Sequence, residues 1–95
     1  MWNSFRSYTI HEGDLYKHQR DQINPDVRRM DEILEGVMWA LGRNPQQFFQ
    51  TIGRLWLVRT DPFPGAPPLR IWFKLELEAQ TVELLSIERV EEDSI

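Results

Sequence analysis

Between Leu69 and Leu77 the chain alternates apolar and polar residues almost without a break. Leu69, Ile71, Phe73, Leu75 and Leu77 fall on one side, and Arg70, Trp72, Lys74 and Glu76 on the other. A period of two in β-favoured residues is the pattern of a strand buried on one face only. Some other element must cover the apolar side. The opposite side presents two cations and an indole to water.

The neighbouring segments extend this strand into a meander. Residues 54–60 (RLWLVRT) read as the strand before it and residues 82–90 as the strand after it. The connection over residues 61–68 carries four prolines in eight residues. Proline fixes φ and withholds a ladder donor, so this is expected to be a stiff loop. A Pro-x-x-Pro pattern is formally present there, but a connection between strands is the simpler use. A four-residue turn over residues 78–81 joins the central and last strands.

Upstream, residues 5–10 (FRSYTI) read as a first strand. Residues 11–22 are polar, with Leu15, Tyr16 and Gln19 as inner-face candidates, and fit a helix or a loop with a helical turn. Asn24-Pro25-Asp26 opens the clearest helix: a favoured N-cap, a proline suited to the first turn, and an acid at the positive helix end. Val27, Met30, Ile33, Leu34, Val37 and Leu41 recur at helical spacing, with Arg28, Asp31, Glu32 and Glu35 opposite them. Gly42 is expected to stop the helix at C′, with Asn44-Pro45 preventing its resumption. Met38 and Trp39 are read as widening the core contact. Residues 46–52 (QQFFQTI) fit a short helix or a loop.

These elements predict an α+β fold. Its small antiparallel sheet combines the N-terminal strand with a three-strand C-terminal meander, and helices pack on one face. At 95 residues the chain is expected to be a single domain, residues 1–95, with a frayed acidic tail at about 91–95.

Composition then narrows the function classes. The chain has no cysteine, which excludes disulfides and thiolate metal sites. No apolar run approaches the roughly 20 residues of a membrane helix, and the first residues lack the apolar core of a signal peptide. A cytoplasmic protein with no membrane partner is expected. The net charge is −4, yet residues 76–95 hold seven acids against Arg89 alone, while residues 1–75 hold eight acids and ten bases. The overall field is not that of a nucleic-acid binder, but a local cationic patch is compatible with it.

A regular turn would pair Leu77 with Val82, Leu75 with Leu84 and Phe73 with Ser86 inside. Outside it would pair Lys74 with Leu85, Trp72 with Ile87 and Arg70 with Arg89. Two arginines face to face are unfavourable unless an anion such as phosphate sits between them. A one-residue slip would instead carry Arg89 to the core side. Trp72 can stack on a base, with Lys74 adjacent. Arg54 and Arg59 lie on opposite faces by parity, so one of them joins the patch. The plain alternative is a solvated sheet face with arginine stems covering Trp72.

Other chemistry is sparse. There is no Ser/His/Asp arrangement in a recognisable context, no glycine-rich phosphate loop and no metal motif. His11 and His18 can share a helix face but lack a placed carboxylate, so a surface role is preferred. Tyr8 and Tyr16 are potential proton donors, although buried tyrosine is commoner. Glu88, at the edge of the patch, is the carboxylate to test as a general base.

The helix ending MDEILEGVMWALGRNP, the strand with Leu-Arg-Ile-Trp-Phe and the final Val-Glu-Leu-Leu-Ser-Ile-Glu-Arg together resemble the RelE/ParE toxin superfamily of type II toxin–antitoxin systems. The resemblance runs from Asn24 to Val90 on short, degenerate motifs. Arg70 matches an arginine early in the penultimate strand, and Arg89 the arginine that ends the last strand. What this implies is a toxin neutralised by a cognate antitoxin, with a homodimer left open. RelE-like members cleave mRNA on the ribosome by metal-free chemistry and need no cofactor; ParE-like members inhibit DNA gyrase. By carry-over, the catalytic residues would be Arg70, Arg89 and Glu88, and the RNA-binding residues Arg54, Arg59, Trp72 and Lys74. The chain departs from the ribonucleases in lacking a C-terminal tyrosine or histidine and in being acidic. The alternative is a non-catalytic member that binds a protein partner, either gyrase-directed or inactive.

Overall fold

The structure is a computed structural model that describes residues 7–23, 29–61 and 67–90. Its elements run β1 (Thr9–Glu12), α1 (Asp14–Ile23), α2 (Met30–Arg43), a 3-10 turn (Pro45–Gln47), β2 (Phe49–Ile52), β3 (Leu55–Arg59), β4 (Leu69–Glu76) and β5 (Thr81–Arg89). The five strands form one sheet in the order β1-β5-β4-β3-β2. The β2, β3, β4 and β5 neighbours are antiparallel, whereas β1 runs parallel to β5 with Thr9 beside Thr81 and Glu12 beside Leu84. The α+β class holds, and the sheet is mixed because a chain that leaves β1 through α1 and α2 returns β5 in the same direction.

The alternation in β4 is realised in full. Leu69, Ile71, Phe73 and Leu75 are buried, while Arg70, Trp72, Lys74 and Glu76 are half-buried on the other side. Met30, Leu34, Val37 and Leu41 of α2, spaced by four, three and four residues, supply the facing stripe. Tyr16 of α1 and Val82, Leu84 and Ile87 of β5 complete this core. Phe73 lies at its centre, stacked on Trp56 at 6.2 Å and met edge-on by Phe48 at 6.4 Å. Truncating a phenylalanine this buried costs about 3–5 kcal/mol.

Several boundaries differ from expectation. Helix α2 runs through Gly42 and ends at Arg43, with the Asn44 N–H donating to the Ala40 carbonyl. Gly42 therefore stays helical, near the Tyr8 carbonyl, instead of capping the helix. The Asn24-Pro25-Asp26 opening and most of the proline-rich loop lie outside the described residues. Trp39 does not widen the core: it is 65% exposed, with the Arg43 guanidinium 4.6 Å from its ring centre. Met38 does pack against the core. Leu77 belongs to the turn after β4 and is half exposed. Residues 49–52 are neither helix nor loop but the edge strand β2.

Two close approaches fix α1 and β1 on β5. The Gly13 N–H donates to the Leu84 carbonyl at 2.9 Å, and a Cβ at Gly13 would meet that oxygen at 2.8 Å, so only glycine fits. Further along, the β4–β5 ladder slips between Trp72 and Phe73, leaving Leu85 as the extra residue of a bulge. There the Ile87 N–H donates to the Gln19 side-chain oxygen of α1 at 2.9 Å. No helix among the described residues is long and apolar enough to cross a membrane.

Candidate functional site on the open face of the sheet

The face of the sheet opposite the core is built in cross-strand rows. The first row is Arg59–Arg70–Glu88, from β3, β4 and β5. The second is Phe49–Leu57–Trp72–Ser86, which β2 extends by one strand. The third is Leu55–Lys74–Glu83. Arg54, in the turn before β3, forms an ion pair with Glu76. Directly opposed side chains in such rows have Cβ atoms about 4.5–5.5 Å apart.

Two departures change the expected register: the turn spans residues 77–80, which moves β5 by two residues, and the bulge then moves it back by one. Arg70 faces Glu88, and its Nε donates to Glu88 Oε2 at 2.7 Å. Arg89 pairs with Leu69 and so falls, by parity, on the helix side of the strand, exposed at its end. Likewise Trp72 faces Ser86, Lys74 faces Glu83, and Leu75 faces Val82. The like-charge pair is present, but with a different partner: Arg59 stands opposite Arg70.

The row therefore holds two guanidinium groups and one carboxylate on adjacent strands. The Arg70 and Glu88 side chains are 38% and 47% exposed, so their pair is solvent-screened and contributes about 1 kcal/mol or less. An oxyanion can exchange for the carboxylate at little cost. An arginine fork then gives directed, charge-assisted hydrogen bonds to phosphate oxygens. Trp72, one row away, offers a partly exposed ring face.

The other sequence candidates lie elsewhere. His11 is on β1 and His18 on α1, both exposed, and they share no helix face. Tyr16 is wholly buried under the sheet, and its hydroxyl has no hydrogen-bond partner among the described residues. Burial, aided by the nearby Glu12 charge and opposed by Arg20, pushes its phenol up to about 12. Burial pulls the Arg20 guanidinium down, but its hydrogen bonds and charge contacts with Glu12 and Asp21 outweigh that and raise it.

The sequence reading missed Phe49, which is 66% exposed on the open face. With Gln47, Phe48, Leu57 and Arg59 it lines a cleft of about 450 Å³. The signal was the Phe48-Phe49 doublet, since adjacent residues of an extended chain point to opposite faces. A second groove, of about 490 Å³, lies between α2 and β3 on the helix side, with Ile33, Val37, Ala40 and Val58 among its lining residues.

No protein-family model matches the chain, and no curated protein matches it in sequence. Solved structures do match in backbone. A chain of the toxin–antitoxin complex RelBE2 from Mycobacterium tuberculosis is similar with a TM-score of 0.70 at 16% identity, over 88% of this chain and 92% of that one. A mutant of the E. coli toxin RelE in the free state is similar with a TM-score of 0.68 at 12% identity, over 90% and 85% respectively. Such identities carry the backbone arrangement and not the side chains. The chain has the fold of the RelE-type toxins.

Proposed function

We propose that this chain is the toxin of a type II toxin–antitoxin pair and inhibits translation by cleaving mRNA in a metal-free phosphoryl transfer. The observation that carries this reading is the open Arg59–Arg70–Glu88 row beside Trp72, on a fold shared with toxin structures. Glu88 takes the proton of a ribose 2′-hydroxyl as its oxygen attacks the adjacent phosphorus. Arg70, with Arg59 beside it, stabilises the charge that grows on the non-bridging oxygens. The bond to the 5′-oxygen breaks, and that oxygen takes a proton from solvent. The products are a 2′,3′-cyclic phosphate and a 5′-hydroxyl. Trp72 stacks on a base, while Lys74 and Arg54 hold the backbone at the rim.

The pair's other member is an antitoxin, assigned to the apolar groove between α2 and β3. The site of action is the cytoplasm. A second reading is a non-catalytic module that binds gyrase or another protein, or a second copy of this chain. The exposed Trp39, Phe49 and Ile52 favour it. The test is induced expression in a bacterium while following incorporation of labelled amino acid and labelled thymidine. A rapid fall in amino-acid incorporation, relieved by Arg70→Ala, is the result expected of mRNA cleavage. Earlier loss of thymidine incorporation points to gyrase. Unimpeded growth with folded, soluble chain overturns the active-toxin reading.

A further inference from the structure

Strand β2 adds to the open face something the cation row does not need. It brings Phe49 into line with Leu57 and Trp72, and it closes the cleft lined by Gln47, Phe48, Phe49, Leu57 and Arg59, where Phe48 also packs against the core. Arg59 belongs both to this cleft and to the row it shares with Arg70. An aromatic wall and a cationic row thus meet at one residue.

We infer that this cleft is a second base-binding subsite, in which Phe49 stacks on the base of a nucleotide neighbouring the one held by Trp72. The ligand is single-stranded RNA. The inference rests on the ribonuclease reading of the open face and adds a substrate contact to it.

Spacing supports a single strand over a duplex. Phe49 and Trp72 lie two strands apart, about 9.5 Å across the sheet, which suits neighbouring bases splayed onto separate rings. Bases stacked in a duplex cannot spread in that way, whereas unpaired RNA bases do. The row of cations and the row of rings are about 6.8 Å apart along the strands, a distance a sugar–phosphate unit bridges. Aromatic–base stacking tolerates every base, so this subsite holds position and not sequence.

The test uses the full chain and a fluorescent 2′-O-methyl RNA hexanucleotide, which cannot undergo attack by its own 2′-oxygen. Phe49→Ala is expected to weaken binding by about tenfold, and Phe49→Tyr to restore it. Placing an abasic unit at the nucleotide next to the one on Trp72 should abolish the difference between native chain and Phe49→Ala. Since Phe49 is largely exposed, the melting temperature of each variant serves as the folding control. If Trp72→Ala and Arg70→Ala weaken binding but Phe49→Ala does not, the subsite is overturned and the ribonuclease reading stands. Equal loss of duplex and single-strand binding in Phe49→Ala also overturns it. If the native chain binds no oligonucleotide and Phe49→Ala alters only self-association, both fall and the cleft belongs to a protein contact.

Discussion

Arg70 meets Glu88 across β4 and β5, with Nε 2.7 Å from Oε2, while Arg89 turns to the other side of the strand. The relationship depends on one extra residue, Leu85, in a ladder that would otherwise bring Ile87 opposite Arg70. It places an acid beside a cation on an open face, an arrangement suited to moving a proton next to a stabilised negative charge.

Replacing Arg70 with alanine should lower RNA cleavage, and the growth arrest that follows from it, by about 10²–10³-fold. Lysine should recover little, because an ammonium lacks the planar fork. The side chain is part-exposed, so the unfolding free energy from urea titration should fall by no more than about 1 kcal/mol. Full growth arrest from a folded Arg70→Ala chain would count against the site.

Glu88→Gln keeps the size and hydrogen-bonding reach of the carboxylate and removes its basicity. Cleavage should drop by about 10²–10⁴-fold, while binding of a 2′-O-methyl oligonucleotide should hold or tighten as a negative charge leaves the row. Faster cleavage in this variant would show that Glu88 competes with substrate and is not its base.

Gln19→Ala withdraws the acceptor from the Ile87 N–H at the bulge. An amide left without its partner in a part-buried place costs about 1–3 kcal/mol. Chemical unfolding should read that loss, and the Ile87 amide should exchange its hydrogen faster than its neighbours in β5. Unchanged exchange would mean that the helix does not hold the bulge.

The parts of the fold that depend on one strand or one helix were legible. The alternation in β4 and the stripe of Met30, Leu34, Val37 and Leu41 each repeat with a single period, and both ended in the core. The register of β5 is not legible, because periodicity reports neither where a turn begins nor where a ladder slips. The trace was there in Leu84-Leu85, where the apolar phase set by Val82 and Leu84 restarts at Ile87. Strand β2 was obscured by its shortness and full exposure, which leave no inward face to impose a period. For the site, the alternation of β4 sets Arg70, Trp72 and Lys74 on one face, but it sets Arg89 opposite Arg70 where Glu88 stands, and the pairing of Arg59 with Arg70 needs the topology. Phe49 was missed with its strand.

Tyr16→Phe removes a hydroxyl that is buried without a partner among the described residues, and should stabilise the chain by about 1 kcal/mol. It should also flatten the alkaline side of the stability profile. In the native chain the phenol stays protonated up to about 12 when folded, against an ordinary value near 10 when unfolded. Between those values only the unfolded chain gives up the proton, so stability falls as pH rises, by about 2–3 kcal/mol in all. Titrating the unfolding free energy of both chains from pH 9 to 12 measures the difference. The same slope in both would assign it to other groups.

The parallel pairing of β1 with β5 has a consequence for how the protein comes into being. Among the described residues, 9–12 find their only strand partner in residues 81–84, and α1 rests on that same strand. Contacts so distant in sequence make folding slow relative to a meander of local hairpins. During synthesis, β1 and α1 lack their partner strand until residues 81–89 have emerged, and Glu88 emerges with that strand. The sheet therefore closes only after the residue proposed as general base has been made.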